Sequence, residues 1–358
     1  MKPESLSFQT HSGEEAPHAK LFEKMDWFAL LFLTFIIAGV IVLSIATGAN
    51  VGAQESGDLL ARAKQIFGSP LPQVISSETN PITPAKVKLG KVLFYETRVS
   101  LDGTVSCARC HPFDLYAADG LKKSIGIQCK VNPRNAPSIL NAAGEISEHW
   151  VGNRKDVEDQ ATEALLGPAS FAMTSAESVL IEIGGYLPLF QEAFPGDKNP
   201  ISAENFGKAI GAFERTLVTP SPFDDFLKGN EKALTEGQTQ GLKTFIEAGC
   251  MTCHSGTYVG GQMYQKFGVL EPYWTYTKSD TIDQGRYEVT KQESDRYSFK
   301  VPILRNVEKT PPYFHDGSVS SLVDAVWIMG KIQLGKDLTK QEKEDIVSFL
   351  ASLTGVIP

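Results

Sequence analysis

Cys107-Ala108-Arg109-Cys110-His111 and Cys250-Met251-Thr252-Cys253-His254 decide how this chain is read. Each is a C-x-x-C-H pentapeptide, the attachment signature of a c-type haem. Two thiols on one turn reach the two vinyl groups of a single macrocycle, and the adjoining histidine offers an axial nitrogen to its iron. A disulfide, a thioredoxin-like pair or half a zinc site would leave both histidines without a role. The chain has 5 cysteines and 6 histidines, so the two motifs predict two covalently bound haem c groups and use all the cysteines but Cys129. Cys129 is then a buried apolar thiol, a haem-pocket thiol or half of an intermolecular bridge.

Outward from the motifs, 358 residues suffice for two ordinary domains plus extras. A hydrophobic share of 42% with 21% charged residues is that of a globular chain. The net charge of -8 argues against nucleic acid, whose phosphates demand a basic face. Trp27 to Thr47 carries no charge and is long enough, at ~1.5 Å per residue, to cross a ~30 Å hydrocarbon core. We expect an uncleaved transmembrane anchor at 27–47, because cleavable secretory cores are usually only ~7–15 residues long. Val51-Gly52-Ala53 keeps a cleavage site as the competitor. Lys20 and Lys24 precede the span and only Arg62 follows it closely, which puts a 1–26 tail in the cytoplasm and the haem-bearing remainder in the periplasm. Residues 48–58 read as a linker.

Beyond the linker the pattern is helical. Thr83-Pro84 is a cap with proline at the first helical position, and Ser202 opens a helix with Phe206, Ile210, Phe213 and Leu217 on one side. Thr235 with Gln238, and Thr339 with Glu342, form capping boxes. Alternating runs are few, so the fold class is all-α: an N-terminal transmembrane helix followed by two cytochrome c-like haem domains. A faint repeat supports two halves: Gly90-Lys91-Val92-Leu93-Phe94 precedes the first motif and Gly241-Leu242-Lys243-Thr244-Phe245 the second. Pro220-Ser221-Pro222 marks the boundary, giving an N-terminal domain at 59–220 and a C-terminal one at 221–358.

The second axial ligand sets what each haem can do, since methionine raises the potential and an open position admits a substrate. Of 6 methionines, Met329 stands downstream of the second motif as such a ligand commonly does, or else fills the core.

From about Leu59 to the C-terminus the sequence resembles the bacterial dihaem cytochrome c peroxidases and the wider family that includes the enzyme maturing methylamine dehydrogenase. The matching stretches are Leu89-Gly90-Lys91-Val92-Leu93-Phe94, Ser124-Ile125-Gly126, Pro133-Arg134-Asn135-Ala136-Pro137, Leu304-Arg305-Asn306, Thr310 to Gly317, and Ile328-Met329-Gly330. The resemblance implies that the haem on His111 is peroxidatic and that the haem on His254 and Met329 passes electrons to it. Trp150 matches a tryptophan that lies between the haems in this family, or else is core packing. Asn135, with the carbonyls of Thr310 and Pro312, matches a calcium site, and all-oxygen ligation suits that hard cation. Arg134 and Arg305 are either partners of haem propionates or solvated surface arginines.

Two positions depart from the family. The histidine that closes the resting peroxidatic haem is here Ile127, and the distal glutamate is here Ala172. Glu163, Glu177, His149 or a water could replace the lost proton relay, whose contribution is typically ~10²–10⁴-fold. The expected activity is reduction of hydrogen peroxide with electrons from a small periplasmic donor, a cytochrome c or a cupredoxin. The rivals are a non-enzymatic electron carrier tethered to a membrane complex, and oxidation of a protein or organic substrate. The methylamine dehydrogenase maturation enzyme has tyrosine where Met329 stands, which counts against the second rival. A homodimer is left open.

Overall fold

The computed structural model describes residues 58–175, 178, 180 and 183–358. The expected tail, the anchor at 27–47 and nearly all of the linker lie outside the described residues. Among the described residues, no helix is long and apolar enough to cross a membrane.

The described chain is mostly helical with little strand. Each capping signal is in place. Thr83 accepts from the Lys86 amide at the head of Pro84–Phe94, and Ser202 accepts from Asn205 at the head of Ala203–Glu214. Glu236–Ala248 and Lys340–Ala351 both begin with reciprocal capping boxes, Thr235/Gln238 and Thr339/Glu342. The one sheet described is a short antiparallel pair, Tyr264–Lys266 with Ser298–Lys300, in which Gln265 faces Phe299.

The repeat has a packing cause. The helix Pro84–Phe94 lies so close to Ala203–Glu214 that a Cβ on Gly90 would sit 1.9 Å from the Ala209 carbonyl oxygen. Glu236–Ala248 meets Lys340–Ala351 in the same way, with a Cβ on Gly241 falling 1.9 Å from the Asp345 oxygen. Glycine alone permits either approach. Asparagines repeat as well. Asn141 and Asn306 both take left-handed backbone, at φ 65° and 64°, ahead of a 3-10 turn. Their amides donate to Leu217 and Leu353, just past the ends of the two packing helices. Thr219 joins them, its hydroxyl accepting from both asparagine side chains.

Three apolar clusters fill the fold. The first gathers Leu89, Leu93, Phe94, Phe206 and Phe213 around the first C-x-x-C-H motif. The second is built on Phe223, Phe245 and Phe349, and each such side chain contributes ~1.5–3 kcal/mol on burial. Leu59, Ala63 and Phe67 of the helix 58–67, expected with the N-terminal half, pack into this second cluster instead. The reason is aromatic: the Phe67 ring stands edge-on to Phe223 with centroids 5.2 Å apart. The third cluster joins Val151 to Phe267, Tyr273, Phe299 and Ile328.

Candidate functional site

The first motif begins as a 3-10 turn, Cys107–Arg109, and the Cys110 and His111 amides both donate to the Cys107 carbonyl. This puts two thiols and an imidazole on one tight turn. The His111 Nδ1 lies 3.0 Å from the carbonyl oxygen of Ala117, so Nδ1 carries the hydrogen and Nε2 keeps its lone pair. Burial lowers the His111 pKa and holds the ring in the neutral form that can ligate iron. Burial likewise pushes the Cys110 thiol up to about 11, unlike the lowered value of a reactive redox pair.

The two departed positions belong to the apolar cluster that Cys107 and Ala108 pack against. Arg109 donates to the Ile125 carbonyl and so ties the motif to Ser124-Ile125-Gly126. The Gly126 backbone abuts residue 169, where a Cβ would fall 1.9 Å from the Ala169 oxygen. Ile127 follows, fully buried, its amide donating to Ser170. Ala172 and Met173 pack against the same apolar cluster as Ile127 and Cys107. Cys129 is exposed, which sets aside the buried-thiol reading; the chain turns outward there through left-handed Gln128 and Cys129.

The second motif repeats the design. The helix Glu236–Ala248 ends at Gly249, at φ 94°, and Cys250–Thr252 forms the turn, with Cys253 and His254 donating to the Cys250 carbonyl. A cavity of about 230 Å³ opens beside it. His254 and Met329 both line this cavity, along with Cys250 and Cys253. Met329 is carried there by the helix Leu322–Leu334. Burial brings the His254 pKa down to about 4. Two thiols, an imidazole and a thioether around one largely apolar space are a donor set that fits a covalently attached haem.

Trp150, Asn135, Thr310 and Pro312 line that same cavity. The Trp150 indole donates to the Asn135 carbonyl at 3.0 Å, and the Asn135 amide nitrogen donates to Leu121 at 2.8 Å. Asn135, Thr310 and Pro312, the residues expected to supply calcium oxygens, are thus among those that line this cavity.

Neither arginine is a solvated surface group. Arg134 forks onto Asp283 at 2.7 and 2.8 Å and reaches Glu288 as well. Arg305 is buried, with Asp224 at 2.7 and 3.0 Å. Both guanidinium groups already hold protein carboxylates, which leaves less of each for a propionate.

Sequence reading passed over His315, which lines the cavity with its ring stacked on Phe299 at a centroid distance of 4.2 Å. It lies inside the quoted Thr310 to Gly317 stretch, so only its burial was hidden. It also passed over Lys300, buried against Glu145 and donating to the Ser147 carbonyl. No motif announces such a pair. Of the carboxylates considered as replacement acids, Glu163 is part-exposed and sits 3.5 Å from Arg154, while Glu177 lies outside the described residues.

Residues 84–232 match the family described as di-haem cytochrome c peroxidase. Cytochrome c551 peroxidase of Pseudomonas aeruginosa is 41% identical over 325 residues, covering 89% of this chain and 92% of that protein. Methylamine utilization protein MauG of Methylorubrum extorquens is 32% identical over 333 residues, with coverage of 89% and 92%. A solved MauG-like protein associated with microbial copper homeostasis aligns with a TM-score of 0.72 and 28% identity, over 80% of this chain and 93% of that one.

Proposed function

Because the chain belongs to the di-haem cytochrome c peroxidase and MauG family, we propose that it takes electrons from a small redox protein at its C-terminal haem and reduces hydrogen peroxide at its N-terminal haem. The observation that carries this reading is the asymmetry of the two motifs. His254 shares a cavity with Met329, a thioether suited to an electron-transfer haem. At the first motif, Ile127 and Ala172 belong with Cys107 to one apolar cluster, and neither side chain can ligate iron. Bound there, haem c supplies an iron that exchanges electrons and, where a position is open, accepts a small ligand.

The chain's own residues set the rest. Cys107, Cys110, Cys250 and Cys253 would anchor the two macrocycles, His111 and His254 supply proximal nitrogens, and Met329 completes only the second. Trp150 stands at the cavity wall as an aromatic step toward the first site. Asn135, Thr310 and Pro312 would hold a calcium ion by oxygen atoms, binding together segments from both halves. Arg134 and Arg305 act first through their carboxylate partners, which fix the loops beside each haem. The apolar span 27–47 would anchor the protein in a membrane with both haem domains on the periplasmic side. The related cytochrome c551 peroxidase is named for a small cytochrome, and a protein of that class or a cupredoxin suits the donor role here.

Stopped-flow mixing of half-reduced protein with peroxide and a reduced small cytochrome tests the reading. Catalytic oxidation of the donor is expected. If the protein relays electrons to an acceptor protein but leaves peroxide untouched, it is an electron carrier, a second reading that the lack of a carboxylate at Ala172 favours.

A further inference from the structure

The loop 148–154 carries Trp150 and is closed at its base, where the Glu148 amide donates to the Arg154 carbonyl at 2.8 Å. Within it His149 and Gly152 take left-handed backbone, at φ 65° and 62°, and the His149 ring is tied to Asn153. The middle of the loop, residues 150–152, is held from outside.

The short antiparallel pair 264–266 and 298–300 supplies the hold. Tyr264 and Lys300 are partners across the ladder. The Lys300 amide donates to the Trp150 carbonyl at 2.7 Å, and its ammonium group donates to the Ser147 carbonyl at 2.7 Å. Tyr264 meets the loop two residues further on. A Cβ on Gly152 would lie 1.7 Å from the Tyr264 hydroxyl oxygen, so only glycine lets this ring in. Arg286 lies over the same ring, its guanidinium carbon 3.7 Å from the centroid. Its Nη1 donates to the Val151 carbonyl at 2.9 Å and reaches that of Gly152 at 3.4 Å. The Arg286 backbone is anchored in turn, its amide donating to Ser298 on the second strand at 2.7 Å. The Asp295 carboxylate is 4.0 Å from the arginine, beyond hydrogen-bond reach, so the guanidinium gives its hydrogen bonds to the loop.

Successive carbonyls, of Trp150, Val151 and Gly152, are thus gripped by one ribbon and the arginine beside it. The indole has a single polar handle, Nε1, which donates to Asn135, so the rest of its pose is set by where its backbone is held. We propose that Arg286 and Tyr264 are positioning residues for Trp150: they clasp residues 150–152 and so keep the indole at the cavity wall in the pose that passes electrons between the haems. This rests on the role given to Trp150 above.

The test uses full-length holoprotein with Arg286→Gln, Tyr264→Leu, Tyr264→Phe and, as a control, Trp150→Leu. Hydrogen exchange read by mass spectrometry reports the hold on the loop, through the amides of 150–152 and of Lys300. Flash reduction of the fully oxidised protein reports how fast the electron redistributes between the haems, with no peroxide present. Arg286→Gln and Tyr264→Leu should speed exchange at these amides ~10-fold, the scale of losing a partly desolvated cation–π contact. They should also slow inter-haem transfer by ~10-fold or more, as misplacing a positioned group does, with haem content and both potentials unchanged. Tyr264→Phe keeps the ring under Arg286 and should stay near wild type in both readouts. A merely structural role would lower the melting temperature and leave the transfer rate of the intact protein where it was. Wild-type exchange at 150–152 in Arg286→Gln overturns the proposal. So does faster exchange with an unchanged transfer rate, where Trp150→Leu slows transfer. If Trp150→Leu itself transfers at the wild-type rate, the role given to Trp150 fails and the proposal falls with it. Neither readout needs peroxide turnover, so a protein inactive toward peroxide would sink the peroxidase reading and leave this test intact.

Discussion

Gly90 and Gly241 hold the same place in the two halves: each lets its helix close on a later one until only a hydrogen fits against a backbone oxygen, Ala209 in one case and Asp345 in the other. Each helix leads into a C-x-x-C-H turn, so the crossing sets where the thiols stand. A backbone oxygen cannot swing aside as a side chain can. Gly90→Ala and Gly241→Ala should each cost at least ~1–3 kcal/mol, the usual penalty of overpacking, and lower haem loading in the affected half. Calorimetry with haem quantification checks this, and a wild-type melting temperature in either variant would contradict it.

Met329 is expected to serve only the haem attached at His254. Met329→Ala should abolish the methionine-to-iron absorption band and lower the potential of that haem alone, because thioether ligation favours reduced iron. Spectropotentiometry resolves the two haems. If neither potential moves, Met329 is core and the roles of the two sites must be exchanged or abandoned.

Arg305 and Asp224 form a bidentate pair with side-chain exposures of 0% and 1%. Removing one member strands the other's charge in the interior. Arg305→Ala should therefore destabilise by ~3–5 kcal/mol, whereas Arg305→Met combined with Asp224→Leu should lose clearly less. Denaturant titration of the three proteins decides it; equal losses in both would show that the pair matters through its charges and not through stranding.

Glu148 gives a pH signature. Desolvation, opposed by Lys300 and reinforced by Glu145 and Asp156, pushes its pKa up to about 8. The folded state therefore binds this proton more tightly than the unfolded chain, so its contribution to stability is fully present below the unfolded value of 4.5 and is lost as pH rises from there through about 8. Glu148→Gln should flatten that decline in melting temperature. A variant that declines as steeply as wild type would locate the titrating group elsewhere.

Much of this was legible in the sequence because the signals are local. Caps at Thr83, Ser202, Thr235 and Thr339, and the two C-x-x-C-H turns, depend on residues a few positions apart, and each folds as its spacing requires. What could not be read depends on distant partners. Nothing near Arg134 announces Asp283, nothing near Arg305 announces Asp224, and the place of Phe67 is set by Phe223. The repeat was visible as a string of similar residues, but its cause, a helix crossing closed on glycine, needed the partner helix. His149 could be named from the sequence as one of several candidates. Its tether to Asn153 is a property of the folded loop.

The central claim is that the His111 haem keeps a position free for peroxide because Ile127 stands where a ligand would close it. Electron paramagnetic resonance of the fully oxidised, untreated protein tests this most directly. One low-spin haem with histidine and methionine axial ligands and one high-spin, five-coordinate or water-bound haem are predicted, the second binding cyanide without prior reduction. Two low-spin six-coordinate haems would contradict the account, for some other side chain would then already fill the position that Ile127 leaves open.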